Sequence, residues 1–419
     1  MTVFQQVVPL ERVVVVDETS PRYPGWRVVA ACFVMAVYAW GFGFYSHSFY
    51  LAELQRSHGW STSVIAGATT TFYFISAVLG AFAGDVIARF GARTVTVAGI
   101  VLTGASAALV PFVDAPWQLY GAFVLTAFGW AATSLTAITT ILGTWFSAKR
   151  GLAISIGLTG ASFGGIMVVP LLTVGSAYWG FGPSVWVVAG GLGTLAAIMA
   201  LAFFVRDPPF ARPVSTDGAA VAQTTRADLL RSASFWSVSA PFALAFFTQV
   251  GFLVHVIAML EPSTGRATAG AAVAVTTASA VVGRLVLGAF VDRLNQRLVT
   301  GFSFASQAAA LLVIWLARDP VLLIGACAVF GFSVGNIITL PALIIAREFP
   351  GRDFATVVGL SNSVCQLTFA FGPGLLGALR DATGGYTIPL ILCACVDVVA
   401  AILIVRAAPA GQSRMDAST

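Results

Sequence analysis

The sequence predicts an all-α membrane protein with twelve transmembrane helices in two pseudo-symmetric six-helix bundles. Three observations carry this: too little charge for a water-facing surface, uncharged windows of spanning length, and a repeat dividing them six and six. Of 419 residues, 58% are hydrophobic and 9% charged, with a mean hydropathy of +0.90. A soluble domain carries about 25% charged residues. So low a charge content suits a surface that faces lipid.

A spanning helix needs roughly 20 apolar residues. Long stretches without Lys, Arg, Asp or Glu place spans at 28–52, 63–88, 94–113, 117–145, 151–174, 184–205, 234–260, 267–290, 298–317, 321–346, 354–379 and 384–405. The fifth and sixth share one uncharged window, 151–205, which the Gly/Pro turn "GSAYWGFGP" (175–183) divides. The longest charged, turn-rich stretch is 206–231. It separates six spans from six. The expected organisation is a cytoplasmic tail (1–25), a six-helix bundle (26–205), a linker (206–233), a second bundle (234–406) and a second tail (407–419).

Orientation follows from the arginines and the single lysine. With a cytoplasmic N-terminus, seventeen basic residues fall inside and four outside, leaving Arg284 within a span. The positive-inside rule therefore places both termini in the cytoplasm, in the inner (plasma) membrane. The net charge of +5 is a topology signal and not a nucleic-acid patch. "VVVV" (13–16) is too short for the apolar core of a signal peptide and is followed by acids. All five cysteines fall inside spans, which argues against metal or disulfide roles.

The halves repeat. "RFGAR" (89–93) matches "RLNQR" (293–297), "AISIGL" (153–158) matches "ATVVGL" (355–360), and "HSFYLAE" (47–53) matches "HVIAMLE" (255–261). Nearly equal offsets at corresponding spans indicate a duplicated six-helix unit. Here the chain resembles the major facilitator superfamily over nearly its whole length. That family's loop signature, Gly-x-x-x-Asp-Arg, stands as "GAFVDR" (288–293). The first-half copy, "GDVIARFGAR" (84–93), departs from it, with Ala88 in the acid's place and Asp85 about one turn earlier. The resemblance implies gating roles for Asp85, Arg89, Arg93, Asp292 and Arg293. More narrowly, "WFSAKRGLAISIGLTGASFGG" (145–165) and "GPGLLGALRDATGGYT" (372–387) look like the bacterial monocarboxylate transporter branch and its oxalate–formate relatives. That branch's eighth span binds the substrate carboxylate through an arginine, and in "GRLVLGAFVDR" (283–293) the matching residue is Arg284.

Physical chemistry reaches Arg284 independently. It lies eight residues before Asp292, about 12 Å along a helix and close to the middle of a hydrocarbon core of about 30 Å. A central arginine costs about 2.5–3.5 kcal/mol on insertion scales. A guanidinium fork matches a carboxylate bidentately, so a substrate anion is the expected counter-ion. The bland alternative is an arginine satisfied by carbonyls or by an acid, and the one deep acid elsewhere is Asp397. Asp397 itself reads as a local helix contact.

Among polar residues in the spans, His47 is a candidate for substrate binding and proton coupling, and His255 and Asp85 for proton coupling. Asn336, Asn362, Gln366 and Tyr120 are candidate substrate contacts, with Gln249 beside them. Each of these reads equally well as an interhelical hydrogen bond. Trp130, Phe246, Phe247, Phe369 and Phe371 are aromatics that could shape a cavity or simply pack. The expected function is secondary transport of a small organic monoanion, a monocarboxylate, with proton symport, by a monomer surrounded by lipid. Span eleven holds no Lys, Arg or His, so one net cation suits one carboxylate. An exchanger of the oxalate–formate type, an exporter of another small organic compound and a non-transporting sensor are the alternatives. No phosphate-binding loop, paired carboxylates or nucleophile–histidine arrangement is present, so neither enzymatic activity nor a cofactor is expected.

Overall fold

In lipid every backbone N–H and C=O must find a partner within its own segment, so uncharged windows of this length fold as helices. The structure, a computed structural model, describes residues 18, 20–80, 82–146, 149–203, 225–290, 293–349 and 354–406. Its spans are α1 (Gly25–His58), α2 (Thr62–Gly80), α3 (Ala92–Phe112), α4 (Pro116–Trp145), α5 (Arg150–Trp179) and α6 (Phe181–Phe203) in the first half. The second half has α7 (Ala233–Thr264), α8 (Arg266–Phe290), α9 (Gln296–Leu316) and α10 (Pro320–Glu348). It ends with α11, in two pieces, Phe354–Ala370 and Gly372–Thr383, and α12 (Thr387–Arg406). Short helices at Ala83–Phe90 and Arg226–Arg231 lie outside the spans.

The second span ends at Gly80 instead of 88, with a separate short helix following it, and the fourth is interrupted at Ser134, whose backbone is extended. Two further spans differ more. α1 runs past residue 52 to His58 and carries Glu53 and Arg56 beyond its apolar stretch. α11 is not one helix. Pro373 has no N–H to donate, and in a continuous helix its ring would strike the carbonyl four residues earlier. The chain breaks at Phe371 instead.

Gly25 and Arg406 lie on one face, here the terminal face; the opposite face is the distal one. α1 packs on α7, α2 on α11, and α5 on α8. The last two contacts exchange under a two-fold relating each helix to the one six places on. α5 and α8 run antiparallel in close contact: a Cβ on Gly165 would meet Thr277, and one on Gly270 would meet Thr173. Among the described residues, every hydrogen bond and ion pair joining the halves lies towards the distal face. Glu53 pairs with Arg266, and Arg56 with Glu261. The Asp381 carboxylate accepts from the backbone N–H groups of Thr62 and Ser63 at 3.2 and 2.6 Å. The Gly374 N–H donates to the Thr70 hydroxyl at 2.9 Å. The distal face is closed.

Candidate functional site

Helix α8 is held against α10 by glycine. A Cβ on Gly331 would strike the Thr276 carbonyl, one on Gly335 the Ala280 carbonyl, and one on Gly283 the Phe332 carbonyl. Backbone approach this close is what small residues permit between membrane helices. It fixes the rotation of α8, and therefore of Arg284, the residue after Gly283. Arg284 stands six residues before the helix end at Phe290, about 9 Å from it at 1.5 Å per residue. Long side chains lean towards the N-terminus of their helix. For α8 that end is distal, so the guanidinium reaches back towards the membrane centre.

There the side chain is half-buried, and its Nε is enclosed without a hydrogen-bond partner. Among the described residues no carboxylate pairs with it. The ionisable group that interacts with it electrostatically is Tyr45, on α1 of the other half. Tyr45 closes a π-helical turn, Gly41–Tyr45, and a second such turn, Gly164–Val168, lies in α5. The turns cross: a Cβ on Gly164 would meet the Gly41 backbone, and one on Gly41 would meet Val168. Single π turns recur at functional sites because they re-aim the side chains around them. Beside Tyr45 stand Phe44 (centroids 5.0 Å apart), then Tyr73 at 5.8 Å from Phe44. Tyr73 meets Phe369 of the other half at 5.4 Å. Trp130 packs on Trp40 at 4.8 Å. Arg284 thus stands opposite the Tyr45 phenol across the junction of the halves, and the aromatic rings continue from Tyr45.

The other candidates are more dispersed. His47 is two residues beyond Tyr45, a rotation of about 200° on a helix. It faces the interior of its own half, boxed by Phe72, Phe123 and Tyr73 at centroid distances of 4.7, 4.8 and 5.6 Å. Both ring nitrogens are buried, with no hydrogen-bond partner; the Gly43 carbonyl, one turn back, is near but lacks hydrogen-bond geometry. His255, its counterpart in the repeat, is fully engaged: Nε2 donates to the Pro373 carbonyl at 3.0 Å and Nδ1 faces the Tyr386 hydroxyl at 3.2 Å. Asn336 is buried and donates to the Ser303 hydroxyl at 3.3 Å, which ties α10 to α9. The Tyr120 hydroxyl lies against Gly67 of α2. Asn362 is exposed, Gln366 half-buried and Gln249 buried. Asp85, Arg89, Arg93 and Arg293 are exposed near the terminal face, with no ion pair among the described residues. Asp292 lies outside the described residues. Asp397 is buried and accepts from the Thr248 hydroxyl at 2.5 Å, a contact between α12 and α7.

Sequence reasoning passed over Tyr45 and Tyr73. The signal lay in "GFGFYSH" (41–47), where two glycines allow the first span to be approached closely just before its histidine.

Two helical halves, joined across a polar centre and sealed on one face, define a membrane transporter. The sequence model described as the Major Facilitator Superfamily matches residues 31–265 and 256–418. The chain belongs to that family. It is 26% identical over 391 residues to monocarboxylate transporter 3 of Rattus norvegicus, covering 91% of this chain and 79% of that one. It is 23% identical over 412 residues to the MFS-type transporter YcxA of Bacillus subtilis (strain 168), covering 93% and 96%. Among solved structures, the nucleoside transporter NupG superposes with a TM-score of 0.76 at 13% identity, covering 91% of this chain and 99% of that one.

Proposed function

We propose that the protein carries a small organic monoanion, a monocarboxylate, together with a proton by alternating access, and that Arg284 binds the carboxylate. The observation behind this reading is a half-buried arginine at the junction of the halves that has no carboxylate partner among the described residues. Desolvating a charge without a partner is costly, and a substrate carboxylate removes that cost each time the carrier closes. Tyr45 donates to the second carboxylate oxygen, so the anion touches both halves at once. Such a bridge links occupancy to the rocking of the halves about a central site. Phe44, Tyr73, Trp130 and Phe369, which pack on one another beside Tyr45, supply apolar surface for the body of the anion. The names of the relatives at 26% and 25% identity, monocarboxylate transporters 3 and 13, agree with this substrate class.

The terminal face is taken as cytoplasmic, because it carries the excess of basic residues. With the distal face closed, this state bars access from outside. His47 takes the coupled proton: its ring nitrogens are unengaged, and it sits on the same helix as Tyr45. The test is binding and uptake of a labelled monocarboxylate by Arg284→Gln and Arg284→Lys, with expression matched. Arg284→Gln should abolish binding. Arg284→Lys keeps the charge but loses the fork, and should bind more weakly by about 1.5–3 kcal/mol. Wild-type affinity in Arg284→Gln would remove the carboxylate reading.

A further inference from the structure

The distal closure includes, beside the backbone contacts of Asp381 and Gly374, four charged side chains arranged so that they can change partners. Glu53 and Arg56 end α1; Glu261 and Arg266 flank the turn from α7 to α8. Glu53 and Glu261 occupy the same place in the two repeats. In the closed arrangement the pairs cross between halves, Glu53 with Arg266 and Arg56 with Glu261. Ser176 of α5 donates to Glu53, and Arg266 contacts the Ser176 hydroxyl. Arg56 also pairs with Glu53 on its own helix at 2.9 Å. The neighbouring acid, Asp381, pairs with Arg380 and also holds the start of α2 across the halves; on opening it keeps Arg380 and changes no ion-pair partner.

Separating the halves breaks both crossed pairs, yet each half keeps one acid and one arginine. In the first half Glu53 retains Arg56. In the second, Glu261 and Arg266 are five residues apart across Gly265, whose φ of 81° turns the chain sharply between them. A cavity of about 510 Å³ opens at this point, lined by Gln55, Arg56, Trp60, Glu261 and Arg380, and gives the side chains space to move. We infer that the distal gate works by ion-pair exchange: the crossed pairs Glu53–Arg266 and Arg56–Glu261 hold it shut, and Glu261–Arg266 forms as it opens. No charge is stranded in either state. The gate therefore avoids the penalty that makes breaking a buried pair slow and costly.

The scheme makes the two acids unequal. Glu53→Gln removes a closed-state pair and leaves the open-state Glu261–Arg266 pair intact, so the gate should open more often. Glu261→Gln removes one pair from each state, and the balance should stay where it was. A fixed clamp, by contrast, would loosen equally with either change. The readout is the rate at which a maleimide modifies a cysteine at Ala66, a buried residue facing Gly377 of the other half. The full chain is used in detergent, with Cys395→Ala because the other four cysteines are buried. The modification rate follows the open population even when that population is small. Glu53→Gln should raise the rate roughly tenfold or more, the factor expected for losing a charge-assisted hydrogen bond from one state. Arg56→Gln, at a residue whose side chain is 42% exposed, should raise it in the same direction and guards against misfolding of the first variant. Glu261→Gln should leave it within about twofold of the parent. Equal acceleration by Glu53→Gln and Glu261→Gln would overturn the exchange in favour of a fixed clamp. An unchanged rate in both Glu53→Gln and Arg56→Gln would show that these pairs do not hold the gate.

Discussion

Tyr45→Phe asks whether the anion site has a contact in each half. The variant keeps the ring, packed against Phe44 with centroids 5.0 Å apart, and deletes one oxygen. In the empty carrier water replaces that oxygen beside Arg284, which is only half-buried. Around an occluded carboxylate water is excluded, so the lost hydrogen bond has no substitute. A hydrogen bond to a charged group contributes about 1.5–3 kcal/mol. Partial access of water to the guanidinium puts the expected loss at the lower end, about 1.5 kcal/mol, or about a tenfold rise in Kd. The assay is calorimetric titration of purified protein with a monocarboxylate that the wild type binds. Tyr50→Phe is the control. Its hydroxyl is buried without a partner, and it packs on Phe49, Phe123 and Phe181 inside the first half. It should leave Kd unchanged. A wild-type Kd in Tyr45→Phe, or equal weakening in Tyr50→Phe, would refute the two-half site.

His47→Gln should flatten the pH dependence of uptake while preserving substrate exchange, because exchange needs no return of an empty carrier; full acid-stimulated accumulation would move the proton elsewhere. Gly335→Ala forces a methyl onto the Ala280 carbonyl, about one turn before Arg284. Overpacking of this kind costs about 1–3 kcal/mol, so Tm and substrate affinity should fall together; an unchanged Tm would mean that α8 and α10 do not cross this closely. Arg297 holds Glu348 through two bonds of 2.6 and 2.7 Å and donates to the Ile404 carbonyl at 3.3 Å. Arg297→Gln leaves a nearly buried carboxylate unpaired, a loss of about 3–5 kcal/mol. Tm should drop sharply with Kd unchanged, and Glu348→Gln in the same chain should recover part of it.

The membrane made the fold legible. Hydrocarbon admits so few charges that each uncharged window reads as a span, and the basic residues then sort the loops. Arg284 stood out for the same reason: a cation in an apolar run has to be explained. Tyr45 did not stand out, because a phenol that lines a site and a phenol that packs have the same composition. Its role depends on a π turn and on a neighbour 239 positions along the chain. The repeat fixes position but not surroundings. It aligned His47 with His255, yet one sits unbonded among aromatics and the other is bonded at both nitrogens. Duplication preserves the position on a helix but not the neighbours, which diverge wherever the halves take different work. The break in α11 was written in Gly372 and Pro373, but the apolar residues around them hid it.

The central cation and the outer ion pairs impose opposite electrostatic conditions on the transport cycle. At the distal gate each half contains its own acid and arginine, so opening changes partners without leaving a charge bare. At the centre Arg284 has no carboxylate partner among the described residues. Closing both faces around an empty site would enclose that charge, with only the Tyr45 dipole to offset it. An unpaired buried ion costs several kcal/mol, and each 1.4 kcal/mol slows a step about tenfold. The loaded carrier escapes this cost, because the anion supplies the missing charge. On the proposed reading the gate is therefore quick in either direction, and return of the empty carrier is the slow step. External substrate should then draw internal substrate out faster than it leaves alone. On the same reading, direction is imposed by the concentrations of anion and proton on the two sides, and the asymmetry of the protein lies in which empty states it tolerates.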